Sequence, residues 1–368
     1  CITFLAIISS TSSQKMITTQ FDNWTTHSNL SGKESTATWQ VINQIVVFSI
    51  LTMIIAGTIF GNLLVIASIA YFTKLRTPTN AFIVSLAVAD FLVGIIVMPF
   101  SMTKLVFGWY FGKTFCKIHT IMDVMLCTSS IMNVSCIAFD RFYAVCYPLK
   151  YRFRMSQKRV TILLLICWFV PALVSFVPLF LDVHLRGLEA ILQPLDPHSC
   201  VFMVNIPYAV SASVIAFYFP MLVMLVAYGK IFQVARLQDR QIYSIENGIQ
   251  GRSTLTRFQN SSMERERKAA KTLGIIMGCF LICWFPFFTM NIINPLLGYS
   301  AHHVLLEVFL WLGYVNSTLN PLLYAFFNKS FRQAFYMVIG CKVLANNCQN
   351  NNLSDSTRQN THLATLSR

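Results

Sequence analysis

The sequence predicts an all-α membrane protein: a bundle of seven transmembrane helices followed by a short amphipathic eighth helix. Three observations predict it. Of 368 residues, 55% are hydrophobic and only 11% are charged, against about 25% charged in an ordinary soluble domain; the mean hydropathy is +0.59. Seven apolar runs each reach the roughly 20 residues that a helix needs to cross a bilayer. None of them alternates with a period of two, so a barrel of strands is excluded. The composition argues against a cytosolic enzyme and, for most of the chain, against disorder. The formal charge is +14. Its basic residues sit between apolar runs rather than on a polar domain, so they report membrane topology, not nucleic-acid binding.

The spans follow in order. Val41 to Thr73 carries no charged residue, and Asn80 to Met102 carries only Asp90. Ile118 to Tyr143 is apolar except for Asp123, Asp140 and Arg141. Val160 to Leu181 and Val201 to Gly229 are uncharged. Thr272 to Leu306 contains Pro286 and then Asn294-Pro295, and reads as one helix plus a tight loop; Val308 to Asn328 is the seventh span. Phe327, Phe331 and Phe335 recur every four residues beyond it, with Lys329 and Arg332 on other faces. That pattern predicts an amphipathic helix over 329–341 lying on membrane lipid, with Cys341 placed for palmitoylation.

The Lys and Arg distribution predicts the orientation. Of the 28, 22 lie on the side of the segments around Lys74, Arg152, Arg257 and the C-terminal tail. The N-terminus is therefore expected outside a plasma membrane that the chain crosses repeatedly. Sequons at Asn23 and Asn29 agree, since glycosylation is lumenal. Residues 1–40 read as an extracellular tail, 41–328 as the membrane domain and 342–368 as a cytoplasmic tail. Ile2 to Ile8 has no basic residue before it, so the segment before Met16 reads as a fragment edge rather than a secretory signal. The stretch from Arg236 to Met263 is too polar to form core.

Ionisable groups inside a membrane are costly and are functional candidates. Asp123 lies two turns, about 10 Å, below Cys116 near the rim. It needs either a ligand ammonium or a hydrogen bond from a Tyr or Ser of another helix. Asp140-Arg141-Phe142 is about 25 Å further down. Arg141 can pair with Asp140 and Glu266 as a latch, or the pair simply marks the membrane edge. Asp90 is mid-span, with Ser130, Asn316, Ser317 and Asn320 able to supply oxygens; the cluster suits sodium or a hydrogen-bonded acid. Cys116 and Cys200 both fall on the outer side, where a bridge would tie a long loop over Asp123. Cys283-Trp284-Phe285-Pro286-Phe287-Phe288 bends a helix at Pro286 and brings aromatic faces to the depth of Asp123. Such faces either attract a cation or simply pack the bundle. Glu307, seven residues before Tyr314, shares its helix face. It reads either as a second carboxylate for a diamine or as a solvated rim charge.

These residues also carry a resemblance. Gly61-Asn62, Leu86-Ala87-Val88-Ala89-Asp90, Asp140-Arg141-Phe142, Trp168, Pro220, Cys283-Trp284-Phe285-Pro286 and Asn320-Pro321-Leu322-Leu323-Tyr324 occur in order, one per helix. Together they resemble the rhodopsin-like (class A) G protein-coupled receptors over about residues 41–341. Within that family the chain is similar to aminergic receptors. Trp311-Leu312-Gly313-Tyr314-Val315-Asn316-Ser317 looks like their seventh helix. Cys200-Val201-Phe202-Met203-Val204-Asn205 resembles type-4 serotonin receptors, and Asp140 to Leu149 resembles trace amine-associated receptors.

The resemblance implies that Asp123 binds an amine with Tyr314 hydrogen-bonded to it. It implies a pocket of Val124, Cys127, Ser213, Trp284, Phe287, Phe288 and Asn291. Ala212 and Ala216 replace the serine cluster of catecholamine receptors, which argues against catechols. An allosteric sodium ion at Asp90 is the one cofactor implied. The implied switch involves Asp140, Arg141, Tyr228, Glu266, Pro286, Pro321 and Tyr324. The implied partner is a heterotrimeric G protein, with Gs expected from the two subfamilies. A retinal-binding opsin is rejected, because Val308 to Asn328 contains no lysine. Paired broken helices of a transporter are absent, and no catalytic set can be assembled.

Overall fold

The computed structural model describes the backbone of residues 30–192, 200–248 and 254–340; side chains of 30–40, 152, 154, 190, 192, 235 and 238–273 lie outside that description. So do Asn23, Asn29 and Cys341, and the side chain of Glu266. The described elements are helical. The long ones are α1 (Leu30–Tyr71), α2 (Pro78–Phe107), α3 (Gly112–Cys146), α4 (Gln157–Phe180), α5 (Ile206–Ser213, Val214–Tyr218 and Phe219–Gly248), α6 (Thr254–Leu296), α7 (His303–Phe327) and α8 (Lys329–Ile339), with short helical turns between them at Thr73–Leu75, Pro148–Arg154, Val183–Leu185 and Glu189–Leu192. Segments of α1 to α6 are long and apolar enough to cross a membrane. α7 has 25 residues and packs in the same bundle, against α1, α2 and α6. Its apolarity is diluted by Glu307, Asn316 and Asn320, which turn inward and are buried. Helices are the solution here because lipid offers no partner to a free backbone amide or carbonyl.

Several boundaries differ from the sequence reading. The fifth helix begins at Ile206 rather than Val201, because Asn205 caps it: its Oδ1 accepts from the Tyr208 amide at 3.0 Å. Between α6 and α7 the chain reverses at Gly298 (φ 65°) and Tyr299 (φ 62°). The polar stretch 236–263 is helical up to Gly248 and again from Thr254. Apolar residues are not needed there, since helix propensity alone favours its Gln, Arg and Glu. At the other end α1 reaches back to Leu30.

Two π-turns interrupt α2 and α5, at Val93–Val97 and Val214–Tyr218. Each ends two residues before a proline, Pro99 and Pro220. A proline cannot donate to the carbonyl four residues back and crowds it. The ladder shifts to wider i→i−5 bonds, Met98 to Val93 and Phe219 to Val214, and the following side chains rotate around the helix.

Polar ties hold the bundle together. Asn62 Nδ2 donates to the Thr58 and Ser317 carbonyls at 2.9 and 3.0 Å, joining α1 to α7. Trp168 Nε1 donates to Ser85 Oγ at 2.9 Å, joining α4 to α2. α8 turns off α7 at Asn328, whose Oδ1 accepts from the Ser330 and Phe331 amides. It lays Phe331, Ala334 and Phe335 against the bundle, with Phe331 stacked on Tyr324.

Candidate functional site

Asp123 sits on α3 at the wall of a cavity near the disulfide end of the bundle. Tyr314 of α7 donates its hydroxyl to Asp123 Oδ2 at 2.7 Å, and the Cys127 thiol donates to Oδ1 at 3.3 Å. Both bonds fix the carboxylate, but neither neutralises it. Among the described residues no basic side chain forms an ion pair with Asp123. Of the residues singled out in the sequence, Val124, Cys127, Trp284, Phe287, Phe288 and Asn291 line the cavity with Asp123. Ser213 stands behind the wall, buried, and receives a hydrogen bond from Asn291 Nδ2 at 3.1 Å.

The aromatic floor is a packed cluster. Phe288 stacks on Phe217 with centroids 4.7 Å apart and planes 4° apart. Trp284 lies edge-on to Phe287 and tilted against Phe288. Its six-membered ring rests on Gly313 of α7, where an added Cβ would fall 2.6 Å from Cζ3. Only a glycine lets the indole lie flat on that helix. Pro286, two residues on, leaves the helix short of one backbone bond.

Three groups at this site were not singled out in the sequence. His119, one turn before Asp123, lines the cavity; its Nε2 lies 3.3 Å from Ser101 Oγ and 3.1 Å from the Val97 carbonyl. Ser101 Oγ is in turn 3.3 Å from the Tyr314 hydroxyl. Lys104, at the end of α2, also lines the cavity. The spacing of four residues between His119 and Asp123 was a usable signal, whereas Lys104 looked like a topology charge.

Glu307 is not a solvated rim charge. It is 5% exposed and lines an adjoining chamber. Lys104 Nζ meets its Oε1 at 2.8 Å, and His303 Nε2 lies 3.6 Å from the same oxygen. The carboxylate therefore already holds a counter-ion drawn from α2, which burial demands.

Above the cavity, Cys116 and Cys200 are disulfide-bonded. The bridge brings Cys200 and Phe202 into the cavity wall. Lys117 and Asp182 pair at 2.8 Å beside it. His184 is buried in the same loop, and burial pushes its imidazole below the ordinary histidine range.

Midway down the bundle, Asp90 is fully enclosed. Ser130 and Ser317 each donate to Oδ1 at 2.8 Å, and Asn320 Nδ2 donates to Oδ2 at 2.7 Å. Asn316 is buried in the same helix face, with its Nδ2 unpartnered within the described residues. The donor set suits a small hard cation: one carboxylate and two hydroxyls that can turn a lone pair inward.

At the opposite end, Asp140 is buried and pairs with Arg141 Nη2 at 2.5 Å. Thr79 of α2 donates to Oδ2 at 2.6 Å, and Tyr151 donates to Oδ1 at 2.8 Å. Arg141 also bonds Thr79. The pair is thus clamped by two neighbouring elements, which distinguishes it from a bare boundary marker. Its expected contact with Glu266 lies outside the described side chains. Tyr228 of α5 is half-buried and Tyr324 of α7 is buried.

A bundle of this connectivity, with a cavity at one end and a clamped Asp-Arg pair at the other, is the arrangement of a seven-helix membrane receptor. Residues 61–324 match the family described as 7 transmembrane receptor (rhodopsin family), and the chain belongs to that family. The chain is 43% identical over 326 residues to 5-hydroxytryptamine receptor 4 of Cavia porcellus, covering 85% of this chain and 83% of the relative. It is 42% identical over 308 residues to Trace amine-associated receptor 2 of Mus musculus, covering 83% and 88%. It is 40% identical over 301 residues to Trace amine-associated receptor 365 of Petromyzon marinus, covering 82% and 81%. The chain is a class A receptor of the aminergic group.

Proposed function

We propose that the chain is a cell-surface receptor, N-terminus outside, that binds an extracellular amine through Asp123 and activates a heterotrimeric G protein, Gs, to raise cAMP. The observation that carries this reading is the Asp123 carboxylate: oriented by Tyr314 and Cys127, faced by Trp284, Phe287 and Phe288, and without an ion-pair partner among the described residues. A buried carboxylate with aromatic walls favours a ligand ammonium by charge-assisted hydrogen bonding and by cation–π attraction.

Trace amines are the favoured ligands, with an olfactory receptor in view; serotonin-like neurotransmitter ligands are the second reading, and relatives of both kinds support the pair. A diamine or polyamine loses ground, because Glu307 is engaged by Lys104. Amine contact with Trp284, Phe287 and Phe288 biases α6 about Pro286. Arg141 then leaves Asp140, Tyr228 and Tyr324 rearrange beside Pro321, and the G protein docks at that end. This is a population shift between two packings, not catalysis. Asp90, Ser130, Asn316, Ser317 and Asn320 would hold a sodium ion that weights the resting packing.

The test is Asp123→Asn, measured as amine-evoked cAMP with surface expression monitored in parallel. The carboxamide keeps the shape and removes the charge, so about 1.5–3 kcal/mol of binding is expected to go, or roughly 10–150-fold in potency. An unchanged concentration–response curve refutes the ammonium site.

A further inference from the structure

Glu307 and Asp123 line two adjoining chambers that share Lys104, Cys200, Phe202, Phe287, Asn291 and Leu310. An elongated ligand anchored at Asp123 that crosses these shared side chains meets Glu307. Glu307 is almost fully buried, and a buried carboxylate requires a cation beside it. The protein supplies that cation itself. Lys104 reaches across from the last turn of α2 to place its ammonium 2.8 Å from Oε1, with its side chain only 17% exposed. Among the described residues one further basic group pairs with it: His303, 3.6 Å away on a half-exposed side chain. Counting formal charges with His119 and His303 neutral, Asp123 and Glu307 are negative and Lys104 is positive. The two chambers together carry one uncompensated negative charge, which a single ligand ammonium balances.

We propose that Lys104 is a tethered counter-ion occupying a second ammonium site built by Glu307, and that it is the residue that makes the receptor select singly over doubly charged amines. A diamine anchored on Asp123 brings its second ammonium against Lys104, where like charges repel strongly because little water screens them. Removing the lysine charge vacates the site and leaves Glu307 to receive the ligand instead. The inference rests on Asp123 being the ammonium site.

The experiment uses the full chain purified in lipid nanodiscs, with ligand-induced change in melting temperature as the readout. The probes are α,ω-diaminoalkanes of graded length and n-alkylamines of the same lengths. The parent and the charge-keeping Lys104→Arg variant are expected to prefer the monoamines. Lys104→Met keeps the length and apolar stem and removes the charge, and its preference should swing toward diamines by about tenfold or more at the length that spans the two acids. Adding Glu307→Gln to Lys104→Met should abolish the gain. A folded Lys104→Met variant with the parent's preference at every length, or one that binds neither series, overturns the proposal. Diamine and monoamine binding that both survive Asp123→Asn would instead overturn the amine site itself.

Discussion

Gly313→Ala places one methyl group where the Trp284 ring now lies. The added Cβ would be 2.6 Å from Cζ3 and 2.8 Å from both Cε3 and Cη2. Carbon atoms settle at about 3.5–4.0 Å, so the indole has to withdraw by about 1 Å. It has little room: Trp284 is buried, with Phe287 and Phe288 on its other sides and Phe217 stacked behind Phe288. Overpacking of this kind costs about 1–3 kcal/mol. The cost falls on the packing described here and is relieved if α6 moves away from α7. The expected result is a lower melting temperature, blue- or red-shifted tryptophan emission, and ligand-independent G protein activation raised by roughly 5–150-fold at most, the Boltzmann equivalent of that range. Trp284→Leu carries no atoms at the clash, so in that background Gly313→Ala should be nearly silent; the double-mutant cycle isolates the contact. If Gly313→Ala leaves melting temperature, emission and basal activity at parent values, Trp284 does not rest on α7 and the reasoning fails.

Three further outcomes are expected. Replacing Cys116 and Cys200 together by Ser should cost about 2–5 kcal/mol for a loop of 84 residues and weaken ligand binding; non-reducing mass spectrometry that finds both thiols free in the parent would refute the pairing. Asp90→Asn should abolish the dependence of agonist affinity on sodium, compared with a bulky organic cation at equal ionic strength; an equal sodium effect in parent and variant would count against the site. His184 has a folded-state pKa below its unfolded value, so its contribution is present above the unfolded pKa and lost as pH falls through the folded one. Melting temperature should therefore drop between neutral and mildly acid pH, and His184→Gln should flatten that dependence.

Much of the architecture was legible because lipid leaves a spanning chain few options. Runs such as Val160 to Leu181 had to be helices, and their number and basic flanks followed from hydropathy and charge. Asp123 and Asp90 announced themselves as acids where acids are costly. Pro99 and Pro220 are plain in the sequence, yet the π-turns before them were not anticipated: a proline says that a backbone bond is lost, but not whether the helix kinks, breaks or widens. Helix starts such as Ile206 were misplaced because a cap is a local geometry that hydropathy does not register.

Chemistry at each position belonged to the sequence: which residues can carry charge, donate or stack, and on which face of which span they lie. Partnership belonged to the tertiary structure. Glu307 could read as a free carboxylate for a ligand or as a wet rim charge, and Lys104 as a topology marker, until the packing of α2 against α7 joined residues 203 positions apart into a buried pair. The Asp140 clamp by Thr79 and Tyr151, and the seat of Trp284 on Gly313, arose the same way. The physical reason is that helix periodicity fixes directions around one axis only. Which side chains meet depends on the relative rotation, offset and crossing of two helices, and those are set by the close packing of the bundle as a whole.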